Sequence, residues 1–178
     1  MILSLFRKKK NTGAVRDVYV RVVTQARHKV FYARWGVPDS VTGRFDMISL
    51  HLCLVMRHLK GGTQEAREFS QDLFDLFFKD MDRSLREMGA GDMAVPKRIQ
   101  KMGELFYGML ASLDGALTKG DSAALRATLS RNIYNGEDVA ALGDMVPYVQ
   151  RTMARLQEQE IGRILAGIIR FDAPDAGE

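Results

Sequence analysis

The chain has 178 residues, 46% of them hydrophobic and 27% charged, a balance that suits one globular domain and excludes wholesale disorder or a low-complexity polymer. Its 26 basic and 22 acidic side chains leave a formal charge of only +4, so the placement of charge says more about partners than its sum. The single cysteine, Cys53, excludes an internal disulfide, and no apolar run approaches the roughly 18 residues that span a bilayer.

The opening MILSLFRKKK sets Ile2, Leu3, Leu5 and Phe6 ahead of Arg7, Lys8, Lys9 and Lys10. Apolar residues beside a basic cluster suit an anionic membrane surface, at about 1 kcal/mol per charge; a frayed, solvated start is the other reading. Residues 1–13 are thus an apolar and basic tail. From Val15 to about Tyr32 the apolar positions Val15, Val18, Tyr19, Val22, Val23, Ala26 and Val30 recur every three or four residues, which predicts a first helix. Phe31 and Trp35 fall off that stripe and need another neighbour, either inside the chain or on a partner. Breakers fill WGVPDSVTG, where Asp39, Ser40 or Thr42 can cap the next helix.

The second predicted helix, about Phe45 to Leu59, is apolar on two sides and belongs at the centre. Thr63 can cap a third, which reaches Met88 before Gly89 ends it. Phe74, Phe77 and Phe78 give its middle too much apolar surface for one narrow stripe, so it is deeply buried or lines a groove. Its end is densely charged, and the EF-hand spacing fails there because Leu85 and Gly91 stand where glycine and glutamate are required. Asp80, Arg83, Arg86 and Asp92 are instead expected to form a polar hub joining the third and fourth helices.

The fourth helix, Pro96 to about Thr118, has a strong core stripe. Its other side carries Lys97, Lys101 and Glu104, then Gly108, Ala111, Ser112 and Gly115. Each interior glycine costs a helix about 1 kcal/mol against alanine, and small residues let a second helix approach closely. That helix is expected to belong to this chain, the fifth or the last, above all at Gly108 near the aromatic centre; at Gly115, nearer the end, a partner helix is the alternative. Gly120 and Asp121 separate a fifth helix, Ser122 to Tyr134. A short helix over Asp138 to Met145 and a last one from Pro147 to about Arg170 follow, then a polar tail, 171–178. The whole reads as all-α, a single compact helical domain of six or seven helices over 14–170.

Chemistry-bearing motifs are missing. His51 and His58 are two turns apart with no further ligand at a metal spacing, Cys53 lies among leucines, and neither a phosphate-binding loop nor a nucleophile motif occurs. No metal, cofactor or catalytic residue is expected.

Three blocks in order, FYARWGVPDSVTGRFDMISLHLCLVMRHL (31–59), FFKDMDRSLREMGAGDMAVPKRIQKMGELFYGML (77–110) and LSRNIYNG (129–136), resemble the ubiquinol-cytochrome c chaperone family, over about Val15 to Gly136. The resemblance implies a non-catalytic assembly factor for ubiquinol-cytochrome c reductase, respiratory complex III, whose client is newly made cytochrome b or an assembly intermediate. It implies a bacterial-type member in the bacterial cytoplasm, peripheral to the inner face of the plasma membrane, because the long targeting extension of mitochondrial members is absent. Mitochondrial members also associate with the ribosome and with a small partner protein. Expected partners are accordingly the client, a ribosome contact and an anionic membrane surface, without specific DNA. A holdase needs exposed apolar surface with a polar rim, and the candidates are Phe31, Trp35, Val37, Arg44, Phe74, Phe78, Lys97, Lys101, Gly108 and Gly115. The alternative function is an RNA or ribosome-surface binder built on Arg7 to Lys10 with Lys97, Arg98 and Lys101.

Overall fold

The computed structural model describes the backbone of residues 2–174 and the side chains of residues 12–174; the side chains of Arg7, Lys8, Lys9 and Lys10 lie outside the described residues. The described chain is all-α, with helices α1 (Ile2–Ala26), α2 (Lys29–Ala33), α3 (Val41–Lys60), α4 (Gln64–Glu87), α5 (Ala94–Lys119), α6 (Ser122–Ile133), α7 (Leu142–Gln157) and α8 (Ile161–Leu165). Six are long and two have five residues. Several boundaries follow from capping chemistry. Ser40 accepts from Gly43 N at the start of α3 and Thr63 from Ala66 N at the start of α4. Asp121 accepts from Ala124 N at the start of α6, directly after Gly120 closes α5 in the left-handed conformation.

Four boundaries depart from the sequence pattern. The first predicted helix breaks after Ala26, because His28 takes extended backbone, accepts from Val30 N and starts α2 as a separate turn. At its other end the helical backbone extends back to Ile2, so residues 2–13 continue α1. Asp138 is held by Arg126 (Nε to Oδ1 3.0 Å), and the segment around it is a turn ahead of α7. Pro147 lies inside α7, where the position four residues earlier is Gly143, and the last predicted helix stops at Gln157.

Helix α3 is the centre. Phe45, Met47, Ile48 and the run Ser49 to Val55 are all buried, since its apolar residues occupy every side and must each find a cover. The covers are α1, α4, α5, α6 and α7. Phe45 stacks on Phe77 of α4 (5.5 Å), Cys53 lies against the Phe106 carbonyl of α5, and Arg57 reaches Asp114 of α5 (3.1 Å).

The remaining side of α3 holds a buried polar chain. His51 Nδ1 donates to the Met47 carbonyl (2.7 Å), which can only accept, so in the neutral ring that burial favours Nε2 accepts from the Tyr148 hydroxyl (2.6 Å). The Tyr148 oxygen then accepts from Gln25 Nε2 (2.9 Å), which also donates to the Asp172 carbonyl (2.8 Å). One neutral chain thereby ties α3, α7, α1 and the C-terminal segment. Phe171 packs edge-on against His51 (5.9 Å), and Arg151 donates to the Pro174 carbonyl, so the first residues of the predicted polar tail are docked.

Removing one link should expose its value: Tyr148→Phe leaves His51 Nε2 buried without a donor and should cost about 1–3 kcal/mol, read as a lower denaturation midpoint. Burial lowers the His51 pKa to about 4. Because the unfolded chain takes up that proton first, this contribution is complete above the ordinary histidine value and is lost as pH falls from about 6.5 to about 4. Asp46 acts with the opposite sign. Burial raises its pKa to about 7, so the folded state holds an extra proton below that value and loses stability as pH rises through it. Asp46→Asn should therefore stabilise the protein at about pH 8 and give no gain at about pH 4, and urea midpoints at the two values check it.

Candidate partner-binding site

Trp35 and Val37 belong to the interior, which corrects their place among surface candidates. Phe31, Trp35 and Val37 are all buried. The loop that carries them folds inward because its backbone is stapled to α2, Trp35 N to Val30 O and Val37 N to Phe31 O (both 3.0 Å), and because Tyr134 donates to the Trp35 carbonyl (2.8 Å). Phe31 lies edge-on to Trp35 (5.3 Å) and Tyr148 (5.2 Å), so it completes the aromatic wall around His51. Gly43 makes the fold-back feasible, since a Cβ there would collide with the Pro38 carbonyl. Arg44 stays outside and pairs with Asp39 of the same loop (2.8 Å).

The predicted small-residue face of α5 is open. A Cβ placed on Gly108 or Gly115 meets nothing within 4 Å, so among the described residues no helix packs onto either glycine. The within-chain packing expected at Gly108 does not occur. The reason is topological: α5 packs on α3 and α4 through one side and pairs with α6 through another, where Arg131 donates to Ser112 (3.0 Å). Those neighbours use Phe106, Met109, Leu113 and Ala116, which are buried. Among the described residues nothing covers Gly108 or Gly115.

Two large apolar side chains border the small strip. Leu105 is 44% exposed and Tyr107 53%; at 100° per residue they fall on either side of Gly108. Tyr107 continues into a half-buried aromatic ladder, with Phe74 5.3 Å from Tyr107 and 4.5 Å from Phe78. Lys97 and Lys101 stand on the same face, Lys101 beside Glu104 (3.4 Å). Sequence reasoning placed Phe74, Phe78, Lys97, Lys101, Gly108 and Gly115 here and missed Leu105 and Tyr107. The signal was available, because both positions lie off the core stripe and flank the small residues.

The charged end of α4 divides into two units. Arg83 pairs with Asp80, which accepts from the Tyr19 hydroxyl (2.9 Å), so this half fastens α4 to α1. Arg86 grips Asp82 (2.7 Å) and Asp92 (2.9 Å) and fastens the end of α4 to the α4–α5 turn. Only the second half joins the two helices that the hub was expected to join.

A cleft of about 1520 Å³ runs between α1 and α4, with Val20, Val23 and Leu76 among its lining and charges of both signs on its rim. It offers neither small residues for close approach nor one dominant charge. Among the described residues no group of three or more His, Cys, Asp or Glu side chains converges as a metal site, and no helix is long and apolar enough to cross a membrane.

Comparison with known proteins agrees with this architecture. The profile of the family described as Ubiquinol-cytochrome C chaperone matches residues 33–171, which extends the likeness well beyond Gly136. A solved structure, the crystal structure of the Cbp3 homolog from Brucella abortus, is 39% identical, with a TM-score of 0.87 over 98% of each chain. No curated protein sequence matches.

Because the face is open, Gly108→Leu should keep the melting temperature or raise it, by up to about 1 kcal/mol of stability from relief of an interior glycine. A loss of 1–3 kcal/mol, the usual cost of overpacking, would show instead that the face is filled from within.

Proposed function

Since the chain belongs to the ubiquinol-cytochrome c chaperone family, we propose that it assists assembly of respiratory complex III by holding newly made cytochrome b, without chemistry of its own. The observation that carries this reading is the open face of α5, a strip of Gly108, Ala111 and Gly115 flanked by exposed Leu105 and Tyr107. An apolar client helix needs two things from a holdase, close backbone approach and apolar flanks. The small residues supply the first, and Leu105, Tyr107, Phe74 and Phe78 supply the second. Lys97 and Lys101 then lie at the rim, where charge sets orientation and encounter rate more than affinity.

The client is a membrane protein, so the chaperone must work beside the bilayer. On this reading it acts in the bacterial cytoplasm at the inner face of the plasma membrane, where Arg7, Lys8, Lys9 and Lys10 meet anionic headgroups.

Deleting the gene in its host should abolish assembled complex III and the cytochrome b absorbance while the transcript persists. Restoring the chain with Leu105→Ser and Tyr107→Ser should fail to recover either, although the variant still folds, as its helical circular dichroism and cooperative melting would show. Normal cytochrome b in the deletion strain would contradict the assignment, and full recovery with the double variant would remove this face from it.

A further inference from the structure

The C-terminal segment sits between α1 and α7 in the way a bound peptide sits in a groove. After α8 the chain turns back at Gly167 in the left-handed conformation (φ +88°), where a Cβ would meet the backbone of Ala14 in α1 (3.2 Å). Residues 168–173 then form neither helix nor strand. Their side chains alternate as those of an extended chain do, with Ile169 buried and Phe171 half-buried while Ile168, Arg170 and Asp172 are exposed. The walls hold mainly the backbone of this segment. Gln159, just beyond α7, donates to the Arg170 carbonyl (2.9 Å) and accepts from Arg170 N (2.8 Å), so one side-chain amide satisfies both backbone groups of one residue, as a neighbouring strand would. Gln25 of α1 donates to the Asp172 carbonyl (2.8 Å) and Arg151 of α7 to the Pro174 carbonyl (3.3 Å). Arg155 adds a grip on a side chain, the Asp172 carboxylate (3.3 Å). Among the described residues no backbone–backbone hydrogen bond involves residues 169–174. The segment is held by contacts that another chain of the same shape would make equally well.

We propose that the groove between α1 and α7 is a docking site for an extended segment of a partner protein that carries two apolar side chains two residues apart and an acidic residue directly after the second, and that residues 168–174 are an intramolecular plug in it. In this mode of recognition, hydrogen bonds to the main chain supply affinity and pockets for alternate side chains supply specificity. The present occupant defines the chemistry of the partner: Ile169 and Phe171 fill the two apolar positions, Phe171 against the edge of His51, and Asp172 meets Arg155. A segment with two apolar anchors and no backbone ladder has the low local stability of an element that opens before the bundle does. Because the plug is tethered, its effective concentration is on the order of millimolar. A partner therefore displaces it only when a second contact holds that partner nearby, which keeps the groove shut to stray peptides. The groove is separate from the open face of α5, and the inference does not rest on the client assigned to that face.

The test uses the full chain and a fluorescein-labelled peptide with the sequence from Ile168 to Pro174, followed by anisotropy. Ile169→Ser with Phe171→Ser weakens the plug and leaves the walls of the groove intact. The expected result is that this variant, still helical by circular dichroism, binds the peptide more tightly than the wild-type chain by on the order of tenfold or more, because the tethered competitor is gone. A peptide with serine at both apolar positions should bind neither protein, and adding Gln159→Ala to the variant should remove binding. No binding to the folded variant, or equal binding to variant and wild type, overturns the proposal. Should the variant fail to fold, limited digestion of the wild-type chain decides. Trypsin is expected to cut after Arg170 while the bundle keeps its circular dichroism, and protection of that bond until the bundle melts would make the segment a fixed part of the fold and overturn the plug. A dimer of the wild-type chain that Ile169→Ser with Phe171→Ser abolishes would overturn the partner protein in favour of a second copy of the chain, whose own segment then fills the groove.

Discussion

Everything in this fold answers to α3, a helix apolar on every side. Such an element is stable only when other helices cover it completely, and five of the remaining helices do so. The covering fixes which faces those helices have left. Helix α5 gives Phe106, Met109 and Leu113 to the interior and keeps Gly108, Ala111 and Gly115 outside. The open face is thus a consequence of the way the core is closed, and its glycines are tolerated at a cost that no packing within the chain recovers.

The interior is specified as well as filled. A purely apolar seam between α3 and α7 would admit sliding of one helix along the other, whereas the chain from Met47 through His51 and Tyr148 to Gln25 has one donor direction throughout. A buried polar network that is fully satisfied favours one arrangement over its neighbours. Phe31 and Trp35 wall this network, which explains why a loop rich in turn residues is ordered inside the protein. The open face proposed for the client lies on α5, beside the half-buried aromatics of α4.

Local signals were legible in the sequence wherever one residue decides the outcome. Thr63, Gly120 and Asp121 mark helix ends by chemistry that acts over three or four residues. The central place of α3 followed from its two apolar sides. The aromatic ladder and the small strip were also visible as patterns. What could not be read was which partner each pattern meets. Trp35 and Tyr134 are joined across 99 positions and His51 and Tyr148 across 97, and no periodicity encodes such a pairing. For the same reason an aromatic loop looked like a surface, and a face that is empty looked ready for a helix of the same chain.

The central claim is that the open face of α5 receives the client. A photo-activated cross-linking amino acid placed at Gly108, where an added Cβ meets no described atom within 4 Å, tests it in cells that make complex III. The account predicts a covalent adduct with newly made cytochrome b from this position and none from Thr24, in the cleft between α1 and α4. An adduct from Thr24 with none from Gly108 would contradict it and move the client to the other side of the bundle.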